Sequence, residues 1–141
     1  GLALCADEAG GRDVNLDQQP SALDLAWLAG ILEGEGCFWW SKVKKYEYPA
    51  LALQMTDEDV VRRAAALMGT SVSKYQWPHM KWKPVFRATL WHAKAVGVMM
   101  TVFPFMGIRR KEKISSLICR WRSIPNRAGY PERVWRGRNK H

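Results

Sequence analysis

Apolar and polar positions along the chain fall into segments of two periods. LDLAWLAGILE is apolar and helix-favouring. Ser21 ahead of it and Asp24 three residues on form a capping-box pattern, and Gly34 and Gly36 close it, which predicts a first helix over Ala22–Glu33. CFWWSKVKKYEY and PALALQM then read as two strands joined near Glu47–Pro49. In the second strand Leu51, Leu53 and Met55 share one face, while Ala50, Ala52 and Gln54 share the other. Thr56 is the expected cap of a second helix, opened by Asp57, Glu58 and Asp59, built on Val60, Val61, Ala64, Ala65, Leu67 and Met68, and ended by Gly69. A second strand pair, TSVSKYQW and PVFRATLW, flanks the Pro-interrupted PHMKWK, and Phe86, Ala88 and Leu90 alternate with Arg87, Thr89 and Trp91. A third helix over Ala93–Phe103 is apolar nearly all round and is expected to be buried. A fourth, over Arg109–Arg122, turns Ile114, Leu117, Ile118 and Trp121 inward.

The order is α-ββ-α-ββ-α-α, an α+β chain with antiparallel hairpins. Residues 1–20 read as a flexible acidic leader, 21–122 as one domain, and 123–141 as a basic tail. The full length of 141 residues suits one domain with a core of its own. No run of 18 apolar residues and no signal-peptide pattern is present, so neither a membrane span nor secretion is expected. Cys5, Cys37 and Cys119 form no C-x-x-C, and three scattered histidines match no zinc spacing. Reduced thiols in a cytoplasmic, organellar or nucleoid-associated setting are the expectation.

Charge changes the picture. Residues 1–36 hold seven acids and one base, whereas residues 37–141 hold 21 bases and six acids, within a net charge of +9. Such asymmetry calls for a polyanion. Eight tryptophans interleaved with Lys and Arg suit nucleic acid better than a lipid surface.

The chemistry-bearing stretch is Trp27–Gly36. Ala26, Gly30 and Gly34 recur every four residues, a stripe where two helix backbones can touch. Glu33 and Glu35 stand at the negative end of the helix dipole, against the electrostatic preference. Glycines beside Glu35 leave backbone carbonyls open, and carboxylate with carbonyl is how a hard cation is held. Two copies packed about a two-fold axis bring like charges together, which a divalent metal relieves. A buried helix with a glycine cap and incidental acids accounts for each feature singly.

LAGILEGEG, residues 28–36, resembles the nine-residue signature of the LAGLIDADG homing endonucleases: Leu28, Ala29 and Gly30 match outright, and both acidic positions hold Glu. Gln54-Met55-Thr56-Asp57 before the second helix, and Pro104–Gly107 before Arg109-Arg110-Lys111, are similar to further segments of that family. The resemblance spans Ala22 to Arg122. It implies an αββαββα core with an antiparallel saddle sheet, plus a C-terminal helix and tail. It also implies Mg²⁺-dependent cleavage of both strands of duplex DNA, with Mn²⁺ a plausible substitute. One motif implies a homodimer on a long quasi-palindromic site, with no small-molecule substrate. By position, Glu35 and the Gly34 carbonyl match the metal ligands, Asp57 a water-positioning residue, and Arg109 or Lys111 the basic residue at the scissile phosphate. Ala26, Ala29, Gly30 and Glu33 match the dimer-forming helix. Glu in place of Asp at position 35 is a departure from the signature, longer by one methylene.

For recognition the sheet's open face offers Ser41, Lys45, Ala50, Ala52, Gln54, Lys74, Gln76, Arg87 and Thr89, since Gln and Arg read purine edges and Ala meets a thymine methyl. Arg127, Arg133, Arg136, Arg138 and Lys140 in the tail suit phosphates. Two other readings stand beside the endonuclease. One is a nuclease-inactive DNA- or RNA-binding protein on the same scaffold, a transcription regulator or intron maturase. The other is a basic structural protein without sequence preference.

Overall fold

The computed structural model describes residues 19–124. Helix α1 runs Ala22–Glu35, and its capping box forms as the sequence predicts: Asp24 N–H donates to Ser21 Oγ (3.1 Å) and Ser21 N–H to Asp24 Oδ2 (3.1 Å). The helix passes through Gly34, two residues beyond the expected end, and Gly36 stops it by donating its N–H to the Leu32 carbonyl. A Cβ on Gly36 would stand 2.5 Å from that oxygen, so only glycine lets the chain leave the helix here.

Strand β1, Gly36–Val43, follows with no intervening loop and pairs antiparallel with β2, Tyr46–Met55. The turn is Lys44-Lys45, with Lys44 at φ +55°, not the Glu47–Pro49 region expected from composition. Pro49 lies inside β2, where β4 has already ended and one edge of the strand is free. Helix α2, Glu58–Met68, has Asp57 instead of Thr56 at its N-cap position and closes on Gly69 at φ +73°. Strands β3, Val72–Tyr75, and β4, Val85–Trp91, complete a four-stranded antiparallel sheet in the order β1-β2-β4-β3. Helix α3 is His92–Val102. A single 3-10 turn over Phe103–Phe105 leads to α4, Ile108–Ser123.

Helices and sheet enclose one main core. Leu28 and Leu32 of α1, Val61 and Ala64 of α2, Ala95 and Met99 of α3, and Ile114 and Leu117 of α4 meet Phe38, Leu51, Leu53, Phe86, Ala88 and Leu90. The sheet therefore has one helix-covered face and one open face. Helix α3 is not buried all round: Ala95, Val96, Met99 and Val102 point inward, and Met100 is 52 % exposed. Its apolar outer residues had hidden an ordinary one-sided helix. A smaller cluster joins Tyr48, Val96 and Trp121 at the end of β2 that overruns β4. Arg120 stacks on Trp40 (4.4 Å) and Arg110 on Phe38 (5.5 Å), which fastens α4 across β1 through cation–π contacts. By register, Gly36, Met55, Tyr75 and Val85 stand at one end of the sheet and the Lys44-Lys45 turn at the other.

Among the described residues, no helix is long and apolar enough to cross a membrane. The leader before Gln19 and the tail candidates Arg127, Arg133, Arg136, Arg138 and Lys140 lie outside the described residues.

Candidate active site

The end of the sheet that begins at Gly36 gathers the candidate catalytic groups. Glu35 is the last residue of α1 and is exposed, as is Gly34. Glu33, two residues before Glu35, is engaged within the protomer. Gly107 N–H donates to its Oε2 (3.3 Å), and Arg110 Nε and Nη2 both donate to its main-chain carbonyl (3.2 and 3.1 Å). That carbonyl belongs to the last turn of α1, where helical carbonyls lack partners of their own. The three bonds join the C-terminus of α1 to the N-terminus of α4.

The first turn of α4 carries Arg109, Arg110 and Lys111, cations at the positive end of a helix dipole. For Arg110 the Glu33 carbonyl and the Phe38 ring offset that placement. Arg109 is exposed, and Lys111 is half-buried with Nζ 5.6 Å from the Phe103 ring. Asp57, at the end of β2 beside β1, is exposed and makes no side-chain capping bond, so its carboxylate is not committed to α2.

The outer face of α1 is bare. Ala26, Gly30 and Gly34 are exposed, and a Cβ at Gly30 or Gly34 would meet nothing within 4 Å. Glycine costs a helix about 1 kcal/mol relative to alanine, and nothing in the protomer requires it at either position. Leu23, on the same face, is 83 % exposed. Ala29 is placed differently from the expectation: it is 2 % exposed and packs into the protomer's own core, turned away from the bare row of Ala26, Gly30 and Gly34.

On the open face of the sheet the register sets Cys37, Ala52 and Thr89 in one row, Trp39, Ala50 and Trp91 in the next, and Gln54, Arg87 and Ser73 in a third. Ala50 is 0 % and Ala52 4 % exposed, yet neither belongs to an apolar cluster. In register Ala50 stands between Trp39 and Trp91, and Ala52 between Cys37 and Thr89. The Arg87 guanidinium reaches the Trp39 ring (5.8 Å) diagonally across β2. The two alanines are thus a floor beneath the surface, not the surface itself. Arg87 and Thr89 line a cleft of about 370 Å³ with Trp39, Ser73, Tyr75 and Lys94. Arg87 Nε is buried there and has no hydrogen-bond partner among the described residues.

The fold that carries these groups is shared with known structures. No protein-family model and no curated protein matches the chain. Among solved structures, homing endonuclease I-CvuI in complex with its target superposes with a TM-score of 0.59 at 16 % identity, over 74 % of this chain and 69 % of that one. The group I intron-encoded homing endonuclease I-CeuI, complexed with DNA, gives 0.57 at 14 % identity, over 75 % of this chain and 57 % of that one. The LAGLIDADG meganuclease I-AabMI, bound to uncleaved DNA, gives 0.56 at 12 % identity, over 77 % of this chain and 40 % of that one. The chain has the LAGLIDADG homing-endonuclease fold.

Within this homing-endonuclease fold the structure brings Glu35, Gly34, Asp57, Arg109 and Lys111 to one end of the sheet. It separates other candidates. Lys74 pairs with Phe86, so its parity is that of the helix-covered face, and Gln76 lies beyond the end of β3. The open-face positions of β3 are Ser73 and Tyr75. The one-residue error in parity arises because VSKY has no apolar alternation to fix it. Ser41, Gln54, Arg87 and Thr89 keep the expected face, and Lys45 lies in the turn. Sequence reasoning missed Arg110, hidden in a run of three cations, and Lys94, on a helix expected to be buried. A single lysine in the first turn of an apolar helix carries no signal of its own, and the pairing of Arg110 with Glu33 spans 77 residues.

Proposed function

We propose that this protein is a site-specific, metal-dependent endonuclease that cuts both strands of duplex DNA as a homodimer. The observation that carries the reading is the exposed Glu35 carboxylate at the α1–β1 junction, set against the basic first turn of α4 in a fold shared with homing endonucleases solved in complex with DNA.

The donor set suits a hard divalent cation such as Mg²⁺, since Glu35 and the Gly34 carbonyl offer only oxygen. Among the described residues no three His, Cys, Asp or Glu side chains cluster as a metal site, so one protomer does not fill a coordination shell. A second copy placed against the bare face of α1 supplies the missing pair of donors. A bound cation would acidify water and neutralise charge on the phosphate oxygens. The chain's own residues do the remaining work. Arg109 and Lys111 hold the phosphodiester electrostatically, and Asp57 accepts a hydrogen bond from the attacking water. Glu33 and Arg110 keep the α4 cations beside Glu35. Arg87, Gln54, Ser41 and Thr89 read base edges from the open face, with Lys45 on the backbone.

The test is selection from a random duplex library in Ca²⁺, followed by transfer of the bound pool to Mg²⁺. A long quasi-palindromic site should be enriched and then cut on both strands. Glu35→Gln should bind the same site and cut about a thousandfold more slowly, the scale of losing several kcal/mol of transition-state stabilisation. Enrichment without cutting by the wild type would favour the regulator or maturase reading.

A further inference from the structure

Between β3 and β4 the chain makes a nine-residue tip, Gln76–Pro84, that contributes nothing to either apolar cluster. Trp77 and Trp82 face each other edge-on across it, with ring centroids 5.7 Å apart and planes at 73°. They are nonetheless 42 % and 57 % exposed. Pro78 and Pro84 limit the backbone freedom of the tip, so the indole pair is held before anything binds. The charge of the segment itself has one sign. Lys74, Lys81 and Lys83 stand in or beside the tip, and the sequence between Asp59 and Glu112 contains no acid at all.

Exposed indoles among lysines, in a stretch of sequence without an acid, fit a polyanion that also presents aromatic faces. A base-paired duplex buries those faces in its stack and shows only edges in its grooves. Base faces become available where a strand is unpaired. The tip shares the Glu35 end of the sheet, and β3 is three strands from β1, about 14 Å at the usual strand spacing. A base unstacked within a few steps of the cut is therefore in reach.

We propose that the β3–β4 tip is a stacking site for an unpaired base of a DNA strand, with Trp77 and Trp82 supplying the ring faces and Lys81 and Lys83 the contacts to its phosphates. The proposal rests on the DNA-cleaving reading above and adds a single-strand subsite to it.

The experiment uses the full chain, a 12-nucleotide oligothymidylate, a 12-nucleotide oligouridylate and a mixed-sequence duplex. Binding is followed by indole fluorescence quenching and by anisotropy of labelled strands. Oligothymidylate should quench the wild type. Trp82→Ala, and more so Trp77→Ala with Trp82→Ala, should weaken its binding about tenfold or more, the usual scale for one lost stacking partner. Trp82→Phe should retain most of the affinity, and circular dichroism of each variant should match the wild type. Duplex binding should fall much less than oligothymidylate binding. Equal oligothymidylate affinity in wild type and double variant would overturn the proposal and leave the duplex reading standing. Preference for oligouridylate through the same tryptophans would overturn the assignment to DNA. Failure to bind any of the three nucleic acids would overturn the stacking site together with the DNA-cleaving reading beneath it.

Discussion

Glu33 and Glu35, two residues apart, have opposite fates. Glu35 is left at the surface, while Glu33 is consumed by Gly107 and Arg110. The sequence shows two acids at the end of a helix and cannot show that one is structural, because its partners come from a segment more than 70 residues away. Replacing Arg110 with Ala should lower stability by about 1.5–3 kcal/mol, the range for hydrogen bonds to charged groups, read as the shift in urea midpoint. Arg110→Lys should recover only part of this, since one ammonium cannot reproduce two parallel donors from a guanidinium. Asp24 was legible from Ser21-x-x-Asp24 alone. Its carboxyl is held below the ordinary aspartate range, first by the Ser21 hydroxyl, then by the Ser21 N–H, with the Arg63 guanidinium adding to both. The folded state therefore favours the ionised form. That stability is present above the unfolded-state value and is lost as pH falls through the lowered folded one. Asp24→Asn should unfold more easily than wild type at neutral pH, and the two urea midpoints should converge in acid.

Among the elements, α1 was identified by its capping and its apolar run, but its bare face became evident only in three dimensions. Gly30 and Gly34 have open space where a Cβ would sit. Alanine at either position should stabilise the isolated helix by up to about 1 kcal/mol. If a second α1 packs there, the same alanines should separate the two backbones and weaken association. Sedimentation of Gly30→Ala and Gly34→Ala at several concentrations should show more monomer, together with a monomer that melts no lower than wild type. Unchanged association would remove α1 as the dimer contact. The strands were legible where one face is apolar, as in β4, whose burial alternates residue by residue. They were not legible where both faces carry mixed residues. That is why the turn at Lys44-Lys45, the parity of Lys74 and the shielding of Ala50 and Ala52 all escaped, each being set by neighbouring strands rather than by local pattern.

For the molecule as a whole, the order of helices and strands and the single core follow from periodicity, and the sign of the partner follows from charge. Residues 125–141 hold five Lys and Arg against one acid. Their removal should flatten the dependence of log affinity on log salt by up to about 4, at roughly 0.9 per phosphate contact, and leave the preferred site unchanged. Duplex binding titrated between about 50 and 200 mM salt, a range suited to such slopes, measures this directly. One feature of the fold bears on fidelity. Helix α1 becomes β1 with no residue between them, so in the proposed endonuclease the strand set against the groove and the Glu35 carboxylate would be parts of one stiff lever. Sliding the sheet by one base step moves Glu35 by about 3.4 Å along the duplex, more than the whole length of a metal–oxygen bond. On that proposed function a near-match bound one step out of frame would be held but spared, and the protein would measure its target as a ruler does, by where the edge falls.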